Sequence, residues 1–217
     1  SGWTLLVMHH GAAGPLPMDA RLHALFASLA SPGMETLGQA LARTGDALGV
    51  AALLLPWGVW LLWRRRLDAF LHIGGGLGLI ALLNTLGKGF FDRPRPATPD
   101  YLEGSMSYPS AHASTAVVLA GPAPAFIARE LPHRQRHWAY WAAILFAVPM
   151  ALSRLMIGVH WASDLVGGAL LGLVVCALVQ LAWQARPRPP LAPGPWAWLS
   201  VGSLALLAAR IAWLPPV

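Results

Sequence analysis

Six stretches of the chain, at residues 47–63, 69–87, 111–128, 138–157, 161–183 and 196–214, are apolar almost throughout. Each is close to the ~17–25 residues that a helix needs to cross a bilayer, and a backbone in hydrocarbon must satisfy its own hydrogen bonds. Composition agrees. Hydrophobic residues make up 56% of the 217 residues and charged residues 11%, with eleven Trp and a mean hydropathy of +0.55. The expected fold is an all-α polytopic transmembrane helical bundle, with about six membrane-spanning helices plus short N-terminal interfacial helices. Residues 1–46 form the N-terminal interfacial segment in this division, 47–184 the bundle core, and 185–217 a Pro-rich linker with a last transmembrane helix.

The connections divide into two kinds. Those at 64–68, 129–137 and 186–190 are short and basic, whereas 88–110 and 154–160 carry unusual polar residues. Basic connections face the cytoplasm, so the polar ones are expected together on the outer face of a bacterial inner membrane. The net charge of +6 is topology signal plus an anionic ligand; no aromatic-interleaved basic groove argues for nucleic acid. The single cysteine, Cys176, allows no internal disulfide. Residues 1–12 are too short to span and lack the basic start of a signal peptide, so they read as a cut-away helix or an interfacial stub. Residues 19–42 carry Leu22, Leu25, Phe26 and Leu29 at helical spacing, then a Ser31-Pro32-Gly33 break and a second short helix, both expected on the membrane surface. The run Gly74-Gly75-Gly76-x-Gly78 reads as close helix packing, and the Trp residues near the ends of spans read as interfacial anchors.

Ionisable residues inside such a chain are costly and mark sites. His160 and Asp164 are four apart, which on a helix puts them on one face with the carboxylate able to take the imidazole N–H. Lys88 and Arg95 are seven apart. Two helical turns, or one turn and an extended return, bring a point charge and a planar fork to one anion, a combination that suits phosphate. Ser110 stands where a helix starts, with His112 in its first turn; free N–H groups there bind anions. Singly, these are a satisfied histidine, snorkelling cations and an ordinary cap. Jointly, with Arg154, they are a set for phosphoryl chemistry.

The patterns Lys88-x6-Arg95-Pro96, Pro109-Ser110-Ala111-His112 and Ser153-Arg154-x5-His160-x3-Asp164 resemble the signature of the type 2 phosphatidic acid phosphatase superfamily, which includes bacterial acid phosphatases and vanadium haloperoxidases. The resemblance implies His160 as the nucleophile that takes the phosphoryl group, Asp164 as its orienting partner, and His112 as the general acid and base. It implies Lys88, Arg95, Arg154, Ser110 and the Ala111 amide as the phosphate cradle, with no metal and no cofactor. Ala111 stands where the family usually has Gly, and the family's membrane members usually have one more helix before 47–63.

The function so implied is an integral membrane lipid phosphatase. Its substrate would be an isoprenoid diphosphate such as undecaprenyl diphosphate, or phosphatidate or phosphatidylglycerophosphate, whose tail enters from the bilayer. The loop at 100–108, with Tyr101 and Glu103, is expected to set specificity. A vanadate haloperoxidase is disfavoured because those relatives are soluble. A non-catalytic lipid transporter or scramblase is disfavoured by the intact His112, His160 and Asp164.

Overall fold

The structure, a computed structural model, describes residues 15–121, 133–185 and 195–213, together with Gly2. The expectations for residues 1 and 3–12, for 122–132 and for the linker at 186–194 lie outside the described residues. Eight α-helices, and no strand, occur among the described residues: α1 (Pro17–Ser28), α2 (Pro32–Gly45), α3 (Ala47–Trp63), α4 (Leu67–Phe91), α5 (Ala111–Ala120), α6 (Arg136–Met156), α7 (Ala162–Gln184) and α8 (Trp196–Trp213).

Local chemistry sets the boundaries. Pro17 and Pro32 occupy first-turn positions of α1 and α2, where a missing N–H costs nothing, and Ser31 caps α2 by accepting from the Met34 amide at 3.2 Å. Extended Asp46 separates α2 from α3 and caps α3 by accepting from Gly49 N at 2.6 Å, so the two helices meet at a bend of 53°. Asp92, in the left-handed region at φ 46°, ends α4, and Pro94 and Pro96 keep the following chain extended. Between α6 and α7 the chain reverses through Gly158 at φ 72°, a conformation in which glycine meets no steric penalty.

By length and composition α4 and α7 are membrane-spanning candidates, and the bent pair α2–α3 makes a third. Six spans were expected; among the described residues α5, α6 and α8 contribute the shorter apolar segments Ala111–Ala120, Tyr140–Met156 and Trp196–Ala212.

Glycine packing falls elsewhere than the sequence suggested. Gly74, Gly75 and Gly78 face open space, and only Gly76 lies near a neighbour, Val179 at 3.1 Å from its would-be Cβ. The close approach is between α5 and α7. A Cβ on Gly167 would strike the Tyr108 ring, one on Gly168 the Ser110 carbonyl, and one on Gly172 the Ser114 carbonyl at 2.7 Å. The tryptophans also divide. Trp63, Trp138, Trp141 and Trp198 are exposed as anchors would be, but buried Trp60 and Trp183 form a core with Leu61 and Ala69, against which Trp196 packs. That core marks the end of the bundle where α3 and α7 finish and α4 and α8 begin.

At the opposite end α8 is held to the bend between α2 and α3. Arg210 pairs with Asp46, and Arg43 Nη1 donates to the Ile211 carbonyl at 2.6 Å. Helix α1 is part of this end. Leu22 and Phe26 of α1 pack on a core of Ala113, Leu155, Ala162 and Leu165, while Leu25 and Leu29 are exposed.

Candidate active site

Four helix ends converge beside this α1 core: the last turns of α4 and α6 and the first turns of α5 and α7. Asp164 is the third residue of α7, and its Oδ2 accepts from the amide of the preceding cap residue, Trp161, at 2.8 Å. A carboxylate in a first turn is favoured by the helix dipole. The same Oδ2 lies 3.2 Å from His160 Nδ1. The pair thus meets as expected but by another geometry: His160 precedes the helix, and the extended backbone at Trp161 swings its ring back over the capping carboxylate.

The other face of His160 defines its protonation. Arg95 Nη1 lies 2.9 Å from His160 Nε2, and a guanidinium can only donate, so Nε2 is the accepting nitrogen. Nδ1 then carries the proton and donates it to Asp164. The imidazole is neutral, with its lone pair on Nε2 directed at Arg95. Its pKa is pushed well below the usual histidine value, first by burial and then by the charges of Arg95, Arg154 and Lys88.

Those cations arrive as the sequence spacing allowed. Lys88 lies in the last turn of α4, and Arg95 on the extended return after it. Both reach the carbonyl of Met106: Lys88 through Nζ, and Arg95 through Nη2 at 3.1 Å. Arg95 also donates to the Ser105 and Val159 carbonyls at 2.7 and 2.9 Å. Residues 105–107 therefore form one wall of the cradle. Arg154, in the last turn of α6, is 2% exposed, and its charge bears on both histidines.

Ser110 is the cap of α5, accepting from Ala113 N, and its own amide donates to the Asp164 carbonyl at 3.1 Å, which joins α5 to α7. Ala111 is the first residue of that helix, so its amide is among the orphan donors of the first turn. His112 Nε2 lies 3.0 Å from the carbonyl of Ala42, one of the last-turn carbonyls of α2 that has no partner within the helix. A carbonyl only accepts, so this nitrogen bears a proton.

The site also contains residues that the spacing arguments missed. Arg93 is 3% exposed and spans two carboxylates, with Nη1 2.6 Å from Asp164 Oδ1 and Nη2 2.8 Å from Asp19 Oδ2. Ser163 joins them, donating from its amide and hydroxyl to Asp19 at 2.8 and 2.7 Å. Arg93 was visible as a second arginine in a proline-bounded extended stretch; Asp19 gave no signal. In the loop at 100–108, Glu103 is exposed. A cavity of about 730 Å³ adjoins the cradle without including it, lined by Phe26, Met34, Leu155 and Ile157 and touching the site at Val159. No cluster of three or more potential metal ligands occurs among the described residues.

A helical bundle that buries a carboxylate-backed histidine among three cations and a helix start is the architecture of a membrane phosphatase. The chain belongs to the PAP2 superfamily, whose model matches residues 69–188. It is 33% identical to phosphatidylglycerophosphatase B of Bacillus subtilis (strain 168) over 61% of this chain and 69% of that one. It is 34% identical to decaprenylphosphoryl-5-phosphoribose phosphatase of Mycolicibacterium smegmatis over 71% and 82%. Among solved structures it resembles a transmembrane PAP2-type phosphatidylglycerolphosphate phosphatase from Bacillus subtilis, with a TM-score of 0.74 at 24% identity over 86% of this chain and 96% of that one.

Proposed function

We propose that this enzyme hydrolyses the terminal phosphate of a lipid through a covalent phosphohistidine. The observation that carries the reading is the two-sided hold on His160, Asp164 on Nδ1 and Arg95 on Nε2, which supplies a neutral, oriented nucleophile inside a cationic pocket.

In this reaction the substrate phosphate takes the place of the Met106 and Ser105 carbonyls as acceptor for Lys88 and Arg95, and draws Arg95 off Nε2. Arg154 and the Ser110–Ala111 helix start hold its remaining oxygens. Nε2 attacks phosphorus, and the bond from phosphorus to the leaving oxygen breaks. His112, made cationic once the anionic phosphate is bound, gives that oxygen a proton from Nδ1 while its Nε2–H stays on the Ala42 carbonyl. Asp164 stabilises the charge that develops on His160. Water, deprotonated by His112, then attacks phosphorus, the N–P bond breaks, and inorganic phosphate leaves. No step calls for a metal ion.

The two relatives described above are named for phosphatidylglycerophosphate and for decaprenylphosphoryl-5-phosphoribose, both phosphates on long apolar tails. The cavity beside the cradle, apolar at Phe26, Met34, Leu155 and Ile157, offers such a tail a place next to the reacting atoms. The bundle crosses a bacterial inner membrane six times, with the site on the periplasmic face and residues 100–108 bearing on substrate choice.

The test is phosphate release in detergent, with chelator present, from phosphatidylglycerophosphate, phosphatidate and a prenyl diphosphate. Chelator-resistant release that is lost in His160→Ala supports the mechanism, and the preferred lipid assigns the substrate. Undiminished release by His160→Ala refutes it.

A further inference from the structure

The buried charges around Asp164 do not balance in pairs. Arg93 binds Asp164 Oδ1 at 2.6 Å and Asp19 Oδ2 at 2.8 Å, and the side chains of both aspartates are 0% exposed. With Asp164 alone, the guanidinium would neutralise the carboxylate that backs His160. With Asp19 the cluster of one cation and two anions keeps a net negative charge, and that charge faces the imidazole.

Asp19 is committed to this arrangement. Its Oδ1 accepts from Ser163 N at 2.8 Å, and its Oδ2 accepts from Ser163 Oγ, from Arg93 and from Leu16 N at 3.1 Å. Its carboxyl is held below the usual carboxylate range: burial raises it, but the hydrogen bonds from Ser163 and Arg93 outweigh that. A helix that only rested on the membrane surface would gain nothing by burying a carboxylate.

We propose that Asp19, on the interfacial helix α1, is a positioning residue of the phosphatase: through Arg93 and Ser163 it preserves the negative charge of Asp164 for His160. The proposal rests on the phosphohistidine reading above. It makes α1 part of the catalytic machinery rather than a membrane-surface attachment.

The physical consequence has a sign. Loss of the Asp19 charge leaves Arg93 to act on Asp164 alone, so His160 becomes less basic and the imidazolium character that develops on attack is less stabilised. The other groups facing His160, namely Arg95, Arg154, Lys88 and His112, are unchanged by this. In the full-length protein in detergent, with phosphatidylglycerophosphate as probe, Asp19→Asn should lower kcat about tenfold, the scale on which partners of an oriented imidazole act, with little change in KM. The acidic limb of kcat/KM should move to lower pH. A change that merely loosened α1 would lower the melting temperature and leave that limb in place.

A second readout needs no substrate. In ¹⁵N-histidine spectra, the His160 resonances, identified by their loss in His160→Ala, should titrate at lower pH in Asp19→Asn than in the wild type. Should Asp19→Asn not fold, Ser163→Ala removes one donor to Asp19 and should move both readouts the same way by less. A folded variant with wild-type kcat, an unmoved acidic limb and unmoved His160 resonances overturns the proposal. If the wild type releases no phosphate from any lipid, or His160→Ala retains activity, the phosphatase reading fails while the spectra still decide whether Asp19 acts on His160.

Discussion

In the proposed mechanism two opposing requirements meet at His160. A nucleophile must be neutral at working pH, yet its attack places positive charge on the ring. Burial and the nearby Arg95, Arg154 and Lys88 secure the first by holding the pKa well below the usual histidine value, and Asp164 serves the second. Because the neutral form reacts, kcat/KM falls as pH drops through that lowered pKa, so its acidic limb should lie below the ordinary ~6.5 of histidine. Arg95 is the largest charge acting on the ring after burial. Arg95→Gln should therefore move the limb to higher pH while costing about 10²–10³-fold in rate as a cradle donor is lost. A pH-rate profile of the two proteins checks both, and a limb that stays or moves down would remove Arg95 from its assigned place. Residues such as His160, Asp164, Lys88 and Arg95 were legible in the sequence because their chemistry works at short, fixed spacings. Asp19 was not, since its partners lie 74 and 144 residues away and a lone carboxylate early in an amphipathic helix reads as a solvated charge.

Helix placement depends on contacts finer than hydropathy. The apolar runs located α3, α4, α7 and α8 to within a few residues, because burial in hydrocarbon demands length and little else. Which glycines mattered was not legible, because a helix shows its small residues in sequence without showing what faces them. The structure separates the two sets sharply. At Gly168 an added methyl meets the Ser110 carbonyl, backbone that cannot yield without moving the cap of α5, whereas at Gly75 it meets nothing. Gly168→Ala should destabilise by about 1–3 kcal/mol through overpacking and lower kcat by shifting the anion-binding helix start. Gly75→Ala should be neutral, or stabilise by up to about 1 kcal/mol through helix propensity. Thermal unfolding in detergent compares them directly, and equal melting temperatures would mean that α5 and α7 are not in close contact.

For the whole molecule, the arrangement of ends carries the function. α4 is 25 residues long, about 37 Å at 1.5 Å per residue, against a hydrocarbon core of about 30 Å. The basic run Arg64-Arg65-Arg66 sits before its start and the cradle at its other end, so a bilayer across α4 separates the two. The positive-inside bias supports the proposed placement of the cradle on the outer face. Two single cysteines in a Cys176→Ser background report this, since Arg65 and Glu103 are both exposed. With a membrane-impermeant maleimide on intact cells, Glu103→Cys should be labelled and Arg65→Cys should react only after permeabilisation. The reverse pattern would turn the active site to the cytoplasm and limit the enzyme to lipids phosphorylated in the inner leaflet. Labelling of both without permeabilisation would mean that α4 does not cross the membrane. The tail cavity beside Val159 would then have to be filled from water rather than from the bilayer, at odds with the apolar surface that the bundle turns outward at Leu71, Leu82, Leu86 and Leu173.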